Sequence, residues 1–394
     1  MKKIINGILL LLITILVVVW FFVEPPLTSP LGSNPLSRFL PFFPHFKTQK
    51  IVYGFLPFWN LDEAVLQPEL THVAYFSLTI DADGNIVTQI DGNAEPGYHQ
   101  LQSEEFLAAN KTVKNYGGRL DAVLSQFDND VIESFLSSPP AQTTFFQSVD
   151  ALLLAYPFNG INLDIEYIGD APEKLRQQYT QLIEQFRQHL NETYEGVELT
   201  VDMYAAASTK PMLWEVEKIA PLVDYIVIMA YDFHRSSSPR AGPVAPLFQK
   251  ETGWKESINT SLKDFVQKTS PDKLLLGVPF YGYEWETTSA EPEAFTLPNS
   301  GATASYKRVK ELLAQKEALN LVEHWDESAL APYLSYVKNS RYYLVYYEDA
   351  RSIEYKLDYV NQLDLAGIAI WSLGYEGDSR DLWETIDEKL KIKN

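Results

Sequence analysis

Residues 159–167 read Asn-Gly-Ile-Asn-Leu-Asp-Ile-Glu-Tyr. From the third residue on, apolar and polar side chains alternate with the period of a strand, so Asn162, Asp164 and Glu166 share one face. Neighbouring members of this polar row lie roughly 6–7 Å apart along the strand. The reverse face is aliphatic and an apolar run, residues 151–156, comes just before, which favours a core strand. Two carboxylates facing inward there are costly unless they serve chemistry, so the stretch predicts an active site. An exposed edge strand is the alternative.

The composition allows a large folded body and excludes several function classes. The chain has 394 residues, 46% of them hydrophobic and 13% aromatic, and a formal net charge of −20. Because binding to phosphates needs a basic face, we expect no nucleic acid partner. The chain has no cysteine, which excludes disulfides, thiolate metal sites, a cysteine nucleophile and a lipid-modified cysteine anchor.

The N-terminus predicts a membrane anchor. Met1-Lys2-Lys3 precedes an apolar run over residues 4–23, which is about the length that spans a bilayer as a helix. No small-residue cleavage pattern follows, so an uncleaved anchor is favoured over a signal peptide. The lysines should stay in the cytoplasm, which places the rest outside; cleavage would make the protein secreted. Residues 24–48 are rich in proline and predict a semi-extended tether.

From residue 49 to 394 the pattern predicts an α/β domain. Short apolar runs that read as strands alternate with helical segments such as 173–191 and 257–268. The eight barrel strands are expected at 51–57, 72–80, 119–125, 161–166, 196–204, 224–231, 274–280 and 367–371. Such an order favours a (β/α)8 TIM barrel over a doubly wound open sheet, and no Gly-x-Gly-x-x-Gly follows any strand. A short hairpin is expected around Asp83-Gly84. Residues 283–347 predict a small α+β insertion between strands seven and eight, with a helix at 305–319 and β-like runs at 321–325 and 341–347.

Polar and aromatic residues collect where these strands end. In a TIM barrel the active site lies at the C-terminal ends of the strands, so these side chains should meet. Aromatic rings around two or three acids suit a carbohydrate and the acid catalysis of glycosidic cleavage. The six histidines are scattered, so we expect neither a metal nor another cofactor. The residues at strand ends are Asp164, Glu166, Met229, Tyr231, Asp232 and Trp371, and we expect Asn162 to bind the substrate with them. Trp59, after strand one, and Trp285, after strand seven, either bind sugar or pack the insertion.

Four motifs in order resemble glycoside hydrolase family 18. The opening stretch is similar to the signature of that family's fourth strand, Asp-Gly-x-Asp-x-Asp-x-Glu. Asn159 and Asn162 stand where two of its acids would be. Residues 229–234, Met-Ala-Tyr-Asp-Phe-His, resemble the sixth-strand motif, and residues 276–282 and Trp371-Ser-Leu resemble the seventh and eighth. Three further stretches, 242–247, 281–285 and 347–353, resemble a bacterial branch that includes spore-cortex glycosidases. Strand three ends with Ser125-Gln-Phe-Asp, where the family usually has Ser-x-Gly-Gly.

The resemblance implies a retaining mechanism without an enzyme nucleophile. Glu166 would protonate the glycosidic oxygen, and the 2-acetamido carbonyl of the substrate would attack the anomeric carbon to give an oxazolinium ion. Asp164 would orient the acetamido N–H, and Tyr231 would bond to the acetamido oxygen. Asp232 would help to place the sugar and Trp371 would form the floor beneath it. Burial beside Asp164 would raise the pKa of Glu166 and keep it protonated near neutral pH.

The implied substrate is a polymer with β-1,4-linked N-acetylglucosamine, either chitin-like or peptidoglycan. Removal of glycans from glycoproteins would use the same mechanism. A catalytically weak or inactive sugar-binding protein on the same barrel, similar to the chitolectins, is the alternative. Such a protein would be expected to lack the acid, which is present here as Glu166. The sequence leaves endo and exo action open.

Overall fold

The computed structural model of the chain describes residues 49–391. Eight parallel strands close into a barrel. Each strand lies beside the next barrel strand in the sequence, and the last one pairs with the first. The predicted TIM barrel is therefore confirmed. Its eight strands, numbered here in chain order, are Ile51–Pro57, His72–Thr79, Arg119–Gln126, Gly160–Ile165, Glu198–Tyr204, Tyr225–Met229, Leu274–Pro279 and Gly367–Trp371.

The barrel interior is filled by side chains from alternate positions of these strands. Tyr53, Phe55, Ala74, Val123, Val227, Leu275 and Ala369 form one buried cluster along the axis. Strand four contributes Asn162 and Asp164 to the same side, whereas Leu163 and Ile165 turn to the opposite side and are fully buried. The period-two alternation seen in the sequence thus separates the barrel interior from its outer layer.

Helices cover the outside of the barrel in the connections between strands. The long helix Glu173–Thr193 presents a stripe of apolar side chains with helical spacing that includes Tyr179, Ile183 and Phe186, all completely buried. The described helices of the barrel are Pro96–Gln100, Glu104–Asn115, Asn129–Ser137, Pro139–Ala155, Glu173–Thr193, Val216–Ile219, Ile258–Lys268, Ala350–Leu363 and Asp381–Leu390.

An α+β insertion lies between strands seven and eight. It holds an antiparallel five-stranded sheet and two short helices. The sheet begins directly after strand seven, since only Phe280 separates the two. The five strands are Tyr281–Thr287, Ala302–Ser305, Val322–Asp326, Ala331–Lys338 and Arg341–Tyr346, and the helices are Tyr306–Ala314 and Lys316–Leu319. The sequence predicted the position of this insertion but only two of its strands.

Two details differ from the expectations. The apolar run at 151–156 is the end of helix Pro139–Ala155, and Leu154 is 82% exposed, so the run is no evidence for a core strand. The turn at Asp83-Gly84 links the bridged pair Ile80 and Ile86, and the short strands Gln89–Ile90 and Asn93–Ala94 pair further on. The predicted anchor and tether, residues 1–48, lie outside the described residues. Within residues 49–391 no helix has the length and apolar character to cross a bilayer.

Candidate active site

A cleft of about 410 Å³ opens at the C-terminal ends of the barrel strands. Six of the residues predicted for the site line it, and they come from three strands or the loops just after them: Asp164, Glu166, Met229, Tyr231, Asp232 and Trp371. A second pocket of about 460 Å³ continues from it and shares Tyr204, Met229, Tyr231, Asp232 and Arg235. The strands therefore bring together side chains that lie more than 200 positions apart in the sequence.

Glu166 occupies the first position after strand four. Its backbone N–H donates to Gln126 O at 2.9 Å, which holds it against the end of strand three. Burial raises the pKa of Glu166, and Asp232 raises it further, whereas the Tyr204 hydroxyl and the Arg235 guanidinium act in the opposite direction. A partly buried carboxyl group with a raised pKa, open to a cleft, is suited to donate a proton.

Two aspartates form the floor of the acidic side of the cleft. Asp164 is 4% exposed and Asp202, on strand five, is 2% exposed. Burial raises the pKa of both, and the charges of Glu166 and Asp202 raise that of Asp164 further. Asn162 lies beneath them, fully buried, and its Nδ2 donates to Asp202 Oδ1 at 2.7 Å. Asn162 does not line the cleft, which corrects the expectation that it binds substrate directly.

Asp232 is held by the insertion and by its own loop. The hydroxyls of Tyr281 and Tyr283 both donate to Asp232 Oδ1, at 2.5 and 2.9 Å. Its backbone has a φ of 61°, in the left-handed region. This conformation costs a non-glycine residue free energy and persists only where the surroundings hold it in place. Arg235 Nε donates to the Asp232 carbonyl at 3.3 Å. Asp232 is thus fixed in place before any substrate arrives.

Tyr231 needs space that a glycine supplies. Strand six ends at Met229, and Tyr231 lies in the loop beyond it with its ring in the cleft. A Cβ atom at Gly277 of strand seven would lie 2.9 Å from the Tyr231 ring and 2.5 Å from the Ile228 carbonyl oxygen. The glycine in the seventh-strand motif therefore makes room for the tyrosine of the sixth.

Aromatic rings form the other side of the cleft. The Trp371 ring packs edge-on against Phe76, with ring centroids 4.7 Å apart, and is tilted against Phe55, with ring centroids 5.8 Å apart. Barrel side chains therefore fix its position. Phe127, 44% exposed, continues this wall. Trp59 is 48% exposed at the rim, where its ring packs edge-on against Phe76 at 5.9 Å.

Trp285 does not reach the cleft. It is completely buried, and its Nε1 donates to the carbonyls of Arg235 and Ser236 at 3.3 and 3.1 Å. The expectation that it contacts sugar is therefore wrong. Trp285 lies further along the same strand face as Tyr283, and its ring packs against Tyr283 and Tyr346 with ring centroids 5.7 and 6.5 Å apart, so it steadies the loop that carries Arg235.

The unusual residues of the two signature motifs have structural roles. Asn159 lies at the start of strand four, at the end of the barrel opposite to the cleft, and its Oδ1 accepts from Leu120 N at 3.1 Å. After strand three, Gln126 Oε1 accepts from the N–H groups of Phe127 and Asp128, both at 2.9 Å. Asp128 then caps the helix Asn129–Ser137. This loop turns the Phe127 ring toward the cleft.

The sequence did not predict several of the cleft residues, among them Asp202, Tyr204 and Arg235. The signal for the first two was present in strand five, where Thr200, Asp202 and Tyr204 repeat the inward polar row of strand four. Arg235 follows the sixth-strand motif by one position beyond its histidine, in a loop whose path the sequence does not indicate.

A family model described as "Glycosyl hydrolases family 18" matches residues 39–376. The chain belongs to glycosyl hydrolase family 18. In sequence it is 26% identical to chitotriosidase-1 of Mus musculus over 77% of this chain and 66% of the mouse protein. It is 25% identical to the uncharacterized glycosylase YvbX of Bacillus subtilis over 77% of this chain and 81% of YvbX.

The fold is also that of solved members. The spore cortex-lytic enzyme SleL of Bacillus megaterium superposes with a TM-score of 0.68 at 19% identity, over 88% of this chain and 76% of SleL. The Bacillus relatives confirm the resemblance to a bacterial branch of the family. As a family 18 member with chitinase-like relatives, this chain is a glycoside hydrolase.

Proposed function

We propose that this enzyme hydrolyses β-1,4-linked glycans that contain N-acetylglucosamine, of the chitin or peptidoglycan type, with retention of configuration and with the substrate's own acetamido group as nucleophile. The observation that carries this proposal is that Glu166 and Asp164 line one cleft whose other side is formed by Trp371. A sugar ring stacked on the tryptophan would present its glycosidic oxygen and its acetamido group to the two carboxyl groups.

Glu166 is suited to be the general acid. Burial raises its pKa, which favours the protonated form that a general acid needs. Protonation of the glycosidic oxygen lets the leaving group depart as an alcohol, after which Glu166, now a carboxylate, takes a proton from the attacking water.

The carboxyl groups around the cleft argue against a covalent glycosyl-enzyme. A carboxylate nucleophile must be ionised, whereas burial and the charges of Glu166 and Asp202 raise the pKa of Asp164. Asp202 Oδ1 accepts from Asn162 Nδ2, which holds this carboxyl group in the floor of the cleft. Asp232 Oδ1 already accepts from two tyrosine hydroxyls, which fits a binding role. The acetamido carbonyl is then the nucleophile, with Asp164 accepting from the acetamido N–H and the Tyr231 hydroxyl donating to the acetamido oxygen.

Product analysis tests this proposal. The wild-type body and Glu166→Gln would be incubated with chitooligosaccharides and with purified peptidoglycan, and the products identified by mass spectrometry. We expect the wild type to release oligosaccharides with N-acetylglucosamine at the new reducing end, and Glu166→Gln to bind without turnover. A wild type that binds both substrates and cleaves neither would contradict the proposal, and the pattern of product lengths would separate endo from exo action.

We also propose that the catalytic body is held outside the cytoplasm by an uncleaved anchor in residues 4–23. Support comes from the sequence alone: the length of the apolar run and the two lysines before it.

A further inference from the structure

Asp202 is a second buried carboxyl group beside Asp164, and none of the four family motifs contains it. The strand pairing aligns Asn162 with Thr200 and Leu163 with Val201, so the same register brings Asp164 level with Asp202 on the inner face. Paired strands lie about 4.8 Å apart, which leaves the two carboxyl groups side by side. Both line the floor of the cleft.

Asn162 completes this arrangement. Its Nδ2 donates to Asp202 Oδ1 at 2.7 Å, so the amide orients Asp202 and favours its ionised form. Asp164 Oδ1 has no hydrogen-bond partner among residues 49–391. Two carboxyl groups this close and this buried cannot both ionise, because each would place its charge beside the other in a medium that screens poorly.

We propose that Asp202 is the proton partner of Asp164 and does the work that the family signature would give to an acid at position 162. The proposal rests on the substrate-assisted mechanism above. In the free enzyme one proton is shared by the two carboxyl groups and lies on Asp164. As positive charge develops on the substrate, the O–H bond on Asp164 breaks and an O–H bond on Asp202 forms. Asp164 then faces the oxazolinium ion as a carboxylate, with no net gain or loss of protons.

The surroundings of Asp202 support a single shared proton. Besides Asp164 on strand four and Glu166 just after it, the ionisable groups that face Asp202 are three phenols: Tyr53 on strand one, Tyr179 on the covering helix and Tyr231 after strand six. Burial raises the pKa of each phenol above its ordinary value, so all three stay neutral in the pH range of the enzyme. The charge state of the floor is therefore decided by the three carboxyl groups.

An exchange of the amide and the acid between the two strands tests the proposal. The single variant Asp202→Asn removes the proton acceptor and preserves the shape of the side chain. The double variant, Asn162→Asp with Asp202→Asn, restores a carboxyl group beside Asp164 and moves its amide partner to strand five. We expect Asp202→Asn to lower kcat on the order of 100-fold with little change in KM, and to change the pH profile of kcat. The double variant should recover at least about tenfold of that loss. Melting temperatures of all variants serve as the folding control.

Infrared spectroscopy of the unliganded proteins gives a readout that needs no turnover. In the difference spectrum between the wild type and Asp202→Asn at neutral pH, the wild type should show the C=O band of a buried, protonated Asp164. Asp202→Asn should lose this band and the double variant should regain it, whereas the band of protonated Glu166 is common to all three proteins and cancels. A wild-type-like kcat and band in Asp202→Asn would overturn the proposal. So would a double variant no more active than Asp202→Asn, since position 202 would then matter for shape and not for its proton. A wild type inactive on every glycan but with the expected band would fail the proposed function and leave the shared proton supported.

Discussion

The Tyr204 hydroxyl tunes the catalytic acid, and its removal should move the pH profile in a predictable direction. The hydroxyl interacts with the Glu166 carboxylate and lowers the pKa of that group. Tyr204→Phe deletes only this oxygen, and the ring keeps its edge-on contact with Trp214 at 5.2 Å. Because the lost interaction stabilised the ionised form of Glu166, the pKa of Glu166 should rise.

The size of the shift follows from the energy of the interaction. A hydrogen bond to a charged group contributes about 1.5–3 kcal/mol, and one pKa unit corresponds to about 1.4 kcal/mol. Tyr204 is partly exposed, so water replaces some of the lost interaction, and we expect the lower end, about 1 pH unit. A general acid must be protonated to act, so the alkaline limb of kcat/KM moves upward.

The assay is the pH dependence of kcat/KM on chitotetraose. Its leaving group is an alcohol, which must be protonated by the general acid as it departs. Arg235→Gln is the matched control. Its side chain is 63% exposed, so its charge should contribute less than about 1 kcal/mol. That corresponds to an upward shift below about 0.7 pH unit that fades at high salt. An alkaline limb that stays in place or moves downward in Tyr204→Phe would refute this account of Glu166.

Three further predictions concern the packing at Tyr231, the buried ion pair of Lys356 and Glu348, and the N-terminal anchor. Gly277→Ala places a Cβ 2.9 Å from the Tyr231 ring, so kcat should fall on the order of 100-fold; wild-type kinetics would contradict the packing described here. Lys356→Met leaves the carboxylate of Glu348 unpaired where both side chains are fully buried, which should cost about 3–5 kcal/mol in urea unfolding. Glu348→Leu in the same chain should recover most of that loss, and a single variant as stable as the double would refute this reading. Deletion of residues 2–23 should move the protein from the membrane fraction to the soluble fraction, and an unchanged distribution would disprove the anchor.

The barrel strands were predictable because each carries a local signal. A strand inside a closed barrel must alternate between the interior and the helix layer, and residues 161–166 show this period without interruption. The insertion lacked such a signal where one strand continues almost directly into the next. Tyr281–Thr287 starts one residue after strand seven, so its aromatic residues were attributed to sugar binding.

The catalytic acid was predictable and its surroundings were only partly so. Glu166 lies in a specific motif, whereas Asp202 and Arg235 reach the cleft through the register of strand five and the path of a loop. Trp285 shows the opposite error. It lies near the site in sequence but is buried, because it belongs to the first strand of the insertion and lies two residues further from the cleft than Tyr283. Sequence proximity to the end of a barrel strand is thus a better guide to the site where a loop follows, as after strand six, than where a second strand follows, as after strand seven.

The most direct test of the central claim compares chitotetraose with its fully N-deacetylated counterpart, using the wild type and Glu166→Gln and following the products by proton NMR. We predict that the wild type cleaves only the acetylated chain and releases the β-anomer first, and that Glu166→Gln is at least about 1,000-fold slower. Cleavage of the deacetylated chain at a similar rate, or initial release of the α-anomer, would contradict a mechanism in which Glu166 is the acid and the substrate supplies the nucleophile.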